Sequence, residues 1–69
     1  MATRPTQLRV DYKGKAYGGI YSVAGNTLIA RIPGIDSRAH AVGERVQAEL
    51  AREILIAILA DADRAGRLR

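Results

Sequence analysis

The sequence predicts an α+β fold, in which an antiparallel meander of three or four strands is followed by one long C-terminal helix packed on its apolar face. Two observations predict this fold. Polar and apolar residues alternate with period two over residues 8–32, and turn-forming pairs interrupt the alternation at residues 14–15 and 25–26. From Glu44 to about Ala65 the composition instead favours a helix.

The chain has 69 residues and no cysteine, which predicts one small domain without disulfides or thiolate metal sites. Its longest apolar run is far below the roughly 20 residues of a membrane span, and its N-terminus does not resemble a secretory signal. We therefore expect a cytoplasmic protein. Within it we expect a flexible arm at residues 1–6, the domain at residues 7–66 and a tail at residues 67–69.

The two turns fix the register of three strands. A type II′ turn at residues 14–15 pairs Tyr12 with Tyr17, and a second two-residue turn at residues 25–26 continues the meander. With this register the apolar side chains share one face, which we expect the helix to cover: Leu8, Val10, Tyr12, Tyr17, Tyr21, Val23, Leu28, Ala30 and Ile32.

Residues 34–43 fit two interpretations. Alternation of larger side chains with alanine is typical of a short fourth strand at residues 38–42, with Gly43 as the break before the helix. Alternatively, the helix begins earlier and is capped by Asp36 or Ser37, which places a glycine inside it at a cost of about 1 kcal/mol. We favour the strand.

The helix carries more apolar surface than one small sheet covers. Its apolar residues occupy more than half of the circumference, whereas packing on one sheet needs an arc of little more than about 100°. Gly66 is suited to end the helix. The surplus predicts a homo-oligomer, with Leu55, Ile56 and Leu59 as its interface.

Two segments carry a family resemblance. Residues 17–23 (Tyr-Gly-Gly-Ile-Tyr-Ser-Val) and residues 50–55 (Leu-Ala-Arg-Glu-Ile-Leu) resemble short uncharacterised bacterial proteins. Those proteins combine a Tyr-x-Gly-x-Tyr-x-Val-x-Gly hairpin with a terminal Leu-Ala-Arg-x-Leu-Leu helix. The resemblance implies a strand before the helix, and it implies no catalytic residue.

No constellation in the sequence predicts catalysis. Asp36, Ser37 and His40 are the residue types of a hydrolase triad, but triad partners usually come from separate elements of a fold. The Gly-Lys pair at residues 14–15 lacks the Ser or Thr and the helix that a phosphate-binding loop requires. We therefore expect a protein that is not an enzyme and that uses no metal and no cofactor.

The basic residues are concentrated in the sheet half of the chain. The first 43 residues carry six Lys or Arg and two Asp or Glu, whereas the rest carries five of each, so the whole net charge of +4 lies before the helix. The predicted register places Arg9 and Arg31 in one row with Ile20 on the polar sheet face, with Lys13 and Lys15 nearby. Such a face is suited to DNA.

Two functions are consistent with this sequence. We favour a small non-enzymatic interaction module that binds another protein as a homo-oligomer, because the domain displays excess apolar surface. The alternative is a DNA-binding accessory protein that uses the basic sheet face. Base stacking by Tyr12, Tyr17 and Tyr21 is disfavoured, since the register places all three on the face that the helix covers.

Overall fold

The computed structural model describes residues 5–68, and it has the predicted fold class. Four strands form one antiparallel sheet in sequence order, and a helix packs on one face of it. The elements are β1 (Thr6–Tyr12), β2 (Lys15–Ala24), β3 (Thr27–Ile32), β4 (Asp36–Ala41) and α1 (Gln47–Arg64). Most of the predicted arm and the last residue of the predicted tail lie outside the described residues. No helix among the described residues has the length and apolarity of a membrane span.

The first hairpin turns one residue earlier than predicted. Lys13 and Gly14 form the turn with φ angles of 52° and 78°, as a type I′ turn requires. Tyr12 consequently faces Lys15, and the predicted pairing of Tyr12 with Tyr17 is wrong by two residues. A shift of two residues leaves every side chain on its face, because side chains alternate with period two. The predicted apolar face is therefore confirmed, and it packs against the core.

The fourth strand is present, and the helix begins later than predicted. β4 starts two residues before the favoured strand of residues 38–42 and ends one residue short of it. Gly43 has a φ of 60°, and the Arg45 amide donates to the Val42 carbonyl at 3.2 Å, so the chain turns here. α1 therefore begins at Gln47 rather than at Glu44.

The C-terminus of α1 ends at a glycine, as predicted. Gly66 has a φ of 74°, and the amide of Arg67 donates to the carbonyl of Ala62 at 2.8 Å. This is the Schellman motif, in which a left-handed glycine reverses the chain and satisfies the last carbonyls of the helix. Leu68 then packs against the core.

The burial of the helix corrects the predicted oligomer surface. Leu55 and Leu59 are completely buried between α1 and the sheet, together with Leu28 and Ile58. Four strands cover a wider arc of the helix than the sequence pattern suggested. Of the three predicted interface residues, only Ile56 is exposed, with 38% of its surface accessible.

Candidate functional site: the open face of the sheet

The sheet has one face that α1 does not cover, here called the open face. In an antiparallel sheet successive side chains point to opposite faces, so the register defines its members. They are Gln7, Arg9, Asp11, Ala16, Gly18, Ile20, Ser22, Ala24, Thr27, Ile29, Arg31, Ser37, Ala39 and Ala41. Within residues 5–68, no second layer of secondary structure packs on the open face.

Two isoleucines lie near the centre of the open face. Ile29 on β3 is 43% exposed, and Ile20 on β2 is half-buried diagonally across from it. The other open-face side chains of β2 and β4 are all small and uncharged. The solvent-facing side of an antiparallel sheet usually carries polar side chains. The open face is instead partly apolar, as a contact surface would be.

Two shallow hollows adjoin on the open face. The larger, of about 460 Å³, lies over Gly18, where no side chain fills the space. Its open-face walls are Gln7, Arg9 and Ile20. The smaller, of about 230 Å³, lies between Ile20, Ser22, Ile29 and Arg31. Because Ile20 borders both, the two hollows form one uneven surface that protruding side chains of a partner can enter.

The four predicted basic residues do not lie on one face. Arg9 and Arg31 project from the open face, are exposed, and make no ion pair within residues 5–68. They do not share a row, because the shifted register places Gln7 opposite Ile20 and Arg9 opposite Gly18.

Lys13 and Lys15 lie on the helix side. Lys13 Nζ is 2.6 Å from Asp63 Oδ2, which also accepts the Tyr12 hydroxyl at 3.1 Å. The hydrogen bond from Lys13, with that from Tyr12, lowers the pKa of the Asp63 carboxyl. Lys15 faces Tyr12 in the sheet, and its Nζ lies 5.8 Å from the centre of the Tyr17 ring. The open face therefore lacks half of its predicted cations.

A charged cluster at the end of α1 was not predicted from the sequence. Arg38 of β4 donates hydrogen bonds to Asp61 and, at 3.4 Å, to Asp36, and Arg64 also donates to Asp61. The hydrogen bond from Arg38, followed by that from Arg64, lowers the pKa of the Asp61 carboxyl. Sheet cations thus pair with helix carboxylates, so part of the charge imbalance between the two halves is satisfied inside the molecule.

The residues considered for catalysis do not converge. Ser37 points to the open face, whereas Asp36 and His40 point to the opposite side of β4. Within residues 5–68, no group of three or more His, Asp or Glu side chains is arranged to hold a metal ion. The three tyrosines pack against the core on the helix side, as predicted, and so offer no stacking platform on the open face.

Comparison of the chain with protein-family models, with curated proteins and with solved structures found no match. The open face, on which Arg31 lies opposite Ile20 and two residues along β3 from Ile29, is the surface on which a functional proposal rests.

Proposed function

We propose that this protein is a non-enzymatic interaction module that acts as a homo-oligomer and binds another protein on the open face. The observation that supports this most is the exposure of Ile29 on an inner strand of the sheet, beside Ile20 and among small uncharged side chains. Exposed apolar residues grouped on one surface are typical of protein contact sites. Arg31, which lies opposite Ile20 and beside Ile29, favours a partner that carries a carboxylate next to an apolar side chain.

A protein partner fits the open face better than DNA does. Binding to a duplex draws its strength from several phosphates neutralised by Lys and Arg. The described part of the open face carries two arginines and one aspartate, and Lys13 is already bound to Asp63. Ile29 occupies the position where a DNA-binding sheet would present a polar side chain to the bases.

The test is affinity capture from a lysate of the source organism with three forms of the protein. The wild type is compared with Ile29→Lys and with Val46→Lys. Val46→Lys is the control, because Val46 is also an exposed branched apolar residue but lies at the start of α1, away from the open face. We expect a protein that is retained by the wild type and by Val46→Lys and lost with Ile29→Lys. Equal retention of that protein by all three forms would contradict the proposal.

DNA binding of the purified wild type is measured by fluorescence anisotropy with a generic labelled duplex. We expect no binding that survives moderate salt. Affinity that falls steeply with salt, and that disappears when Arg9 and Arg31 are both replaced by glutamine, would favour the DNA-binding function instead.

A further inference from the structure

We propose that two copies of this chain pair through the outer edges of their β1 strands, as antiparallel neighbours related by a two-fold axis at Val10. The result is one continuous sheet across the dimer, with both helices on the same side. The proposal specifies an interface for the homo-oligomer of the proposed function, but it does not depend on the identity of any partner protein.

The first observation is that β1 is an edge strand with a regular backbone. It pairs only with β2 in the sheet, and its residues from Thr6 to Tyr12 are paired without interruption. Among the described residues no other strand pairs with its outer edge. An edge of this kind presents a row of amides and carbonyls that a further strand can bind.

The turn determines which backbone groups point outwards. Tyr12 and Lys15 flank the two-residue turn, so they form a hydrogen-bonded pair of the ladder. Since hydrogen-bonded and non-hydrogen-bonded pairs alternate, the backbone of Val10 is directed towards β2. The amides and carbonyls of Gln7, Arg9 and Asp11 are consequently directed towards the free edge.

The charges select one antiparallel register among those that this backbone allows. If Val10 faces Val10 of the second copy, Arg9 faces the second copy's Asp11, and Asp11 faces its Arg9. Both are hydrogen-bonded pairs, with opposite charges directly opposite each other on the open face. A shift by two residues in either direction instead places Arg9 opposite Arg9 or Asp11 opposite Asp11. The symmetric pairing centred on Val10 is thus the register in which Arg9 and Asp11 of each copy both face a residue of opposite charge.

The helix side agrees with this register. Leu8 faces Tyr12 of the second copy, which is an apolar and aromatic pair on the core side. A groove of about 240 Å³ runs between β1 and α1, with Val10 and the exposed Ile56 among its walls. Ile56 therefore lies beside the two-fold axis, where the second copy covers it.

The experiment measures mass in solution by sedimentation equilibrium, for the wild type, Arg9→Asp and Asp11→Arg. We expect the wild type to be dimeric. Each single variant places like charges opposite each other twice, so we expect its dimer dissociation constant to rise about tenfold or more. Mixing the two single variants restores opposite charges in both pairs, so we expect the mixture to dimerise as the wild type does.

The matched control is Arg31→Asp, which makes the same change of charge on an inner strand. We expect this variant to dimerise like the wild type, and circular dichroism of every variant reports whether it is folded. A monomeric wild type would overturn both this inference and the proposed homo-oligomer. Binding of another protein on the open face would be unaffected by that result, because the capture experiment with Ile29→Lys tests it separately. A dimer unaffected by either single variant, or not restored in the mixture, would overturn the β1 interface alone.

Discussion

Leu55 lies directly against the backbone of Gly19, where β2 passes beneath α1. A Cβ atom at position 19 would be 2.6 Å from Leu55 Cδ1 and 2.8 Å from Cδ2. Leu55 is completely buried in the core, so its side chain can shift only by displacing neighbouring core side chains. The missing side chain of one glycine therefore sets how closely the helix approaches the sheet.

Replacing Gly19 by alanine should destabilise the protein, while the same change at the neighbouring Gly18 should not. Overpacking at Leu55 costs about 1–3 kcal/mol. Gly18 has open space at its Cβ position on the open face, so alanine there should be neutral or stabilise by up to about 1 kcal/mol. Urea unfolding of both variants measures this. Equal effects at the two glycines would contradict the described packing of α1.

Two adjacent residues of β3 should differ sharply in their contribution to stability. Leu28 is fully buried on the helix side, and Ile29 is 43% exposed on the open face. We expect Leu28→Ala to lower the free energy of unfolding by about 2–5 kcal/mol. Ile29→Ala should change it by less than about 1 kcal/mol. Thermal unfolding of the two variants gives the comparison, and a large loss with Ile29→Ala would show that the open face is covered.

The position of the first turn is tested at Lys13, which has a φ of 52°. Asparagine tolerates this left-handed conformation, and a β-branched residue does not. Both Lys13→Asn and Lys13→Val remove the contact with Asp63, so their difference isolates the backbone effect. We expect Lys13→Val to be less stable than Lys13→Asn by about 1–2 kcal/mol. Similar stabilities would support the turn at residues 14–15 instead.

The carboxylates at the end of α1 should make the protein sensitive to acid. Hydrogen bonds hold the pKa values of Asp61 and Asp63 below their usual value in the folded state. The folded state therefore binds fewer protons than the unfolded state in acid. Their stabilising contribution is present above the usual aspartate pKa of about 4, and it is lost as the pH falls below that value.

Asp63→Asn should accordingly reduce the difference in unfolding free energy between pH 7 and pH 3. Glu44→Gln is the control, because Glu44 is exposed and makes no ion pair within residues 5–68. Urea unfolding at the two pH values measures both. If both variants lose as much stability on acidification as the wild type, Asp63 does not contribute in this way.

Much of the fold could be predicted because it depends on local pattern. The period-two alternation assigned most residues of β1, β2 and β3 to their faces, and glycines marked the turns and the end of α1 at Gly66. The open face was also predicted as a surface, with Arg9, Ile20 and Arg31 on it. The apolar pattern of the helix, by contrast, shows only which residues are apolar and not which of them the sheet covers. It therefore could not show that Leu55 and Leu59, predicted at an oligomer interface, are buried against the sheet.

The sequence by itself determined the order of the elements and the face to which most residues of β1, β2 and β3 point, because both depend on residues close together in the chain. Only the tertiary structure decided the register of β1 on β2, since a shift of two residues preserves the faces and Gly14 suits either turn. It also decided which cations are available to a partner. Lys13 and Asp63 are 50 residues apart in sequence, and no local pattern links them. Their hydrogen bond forms because the C-terminal end of α1 lies beside the first hairpin turn, where Lys13 is located.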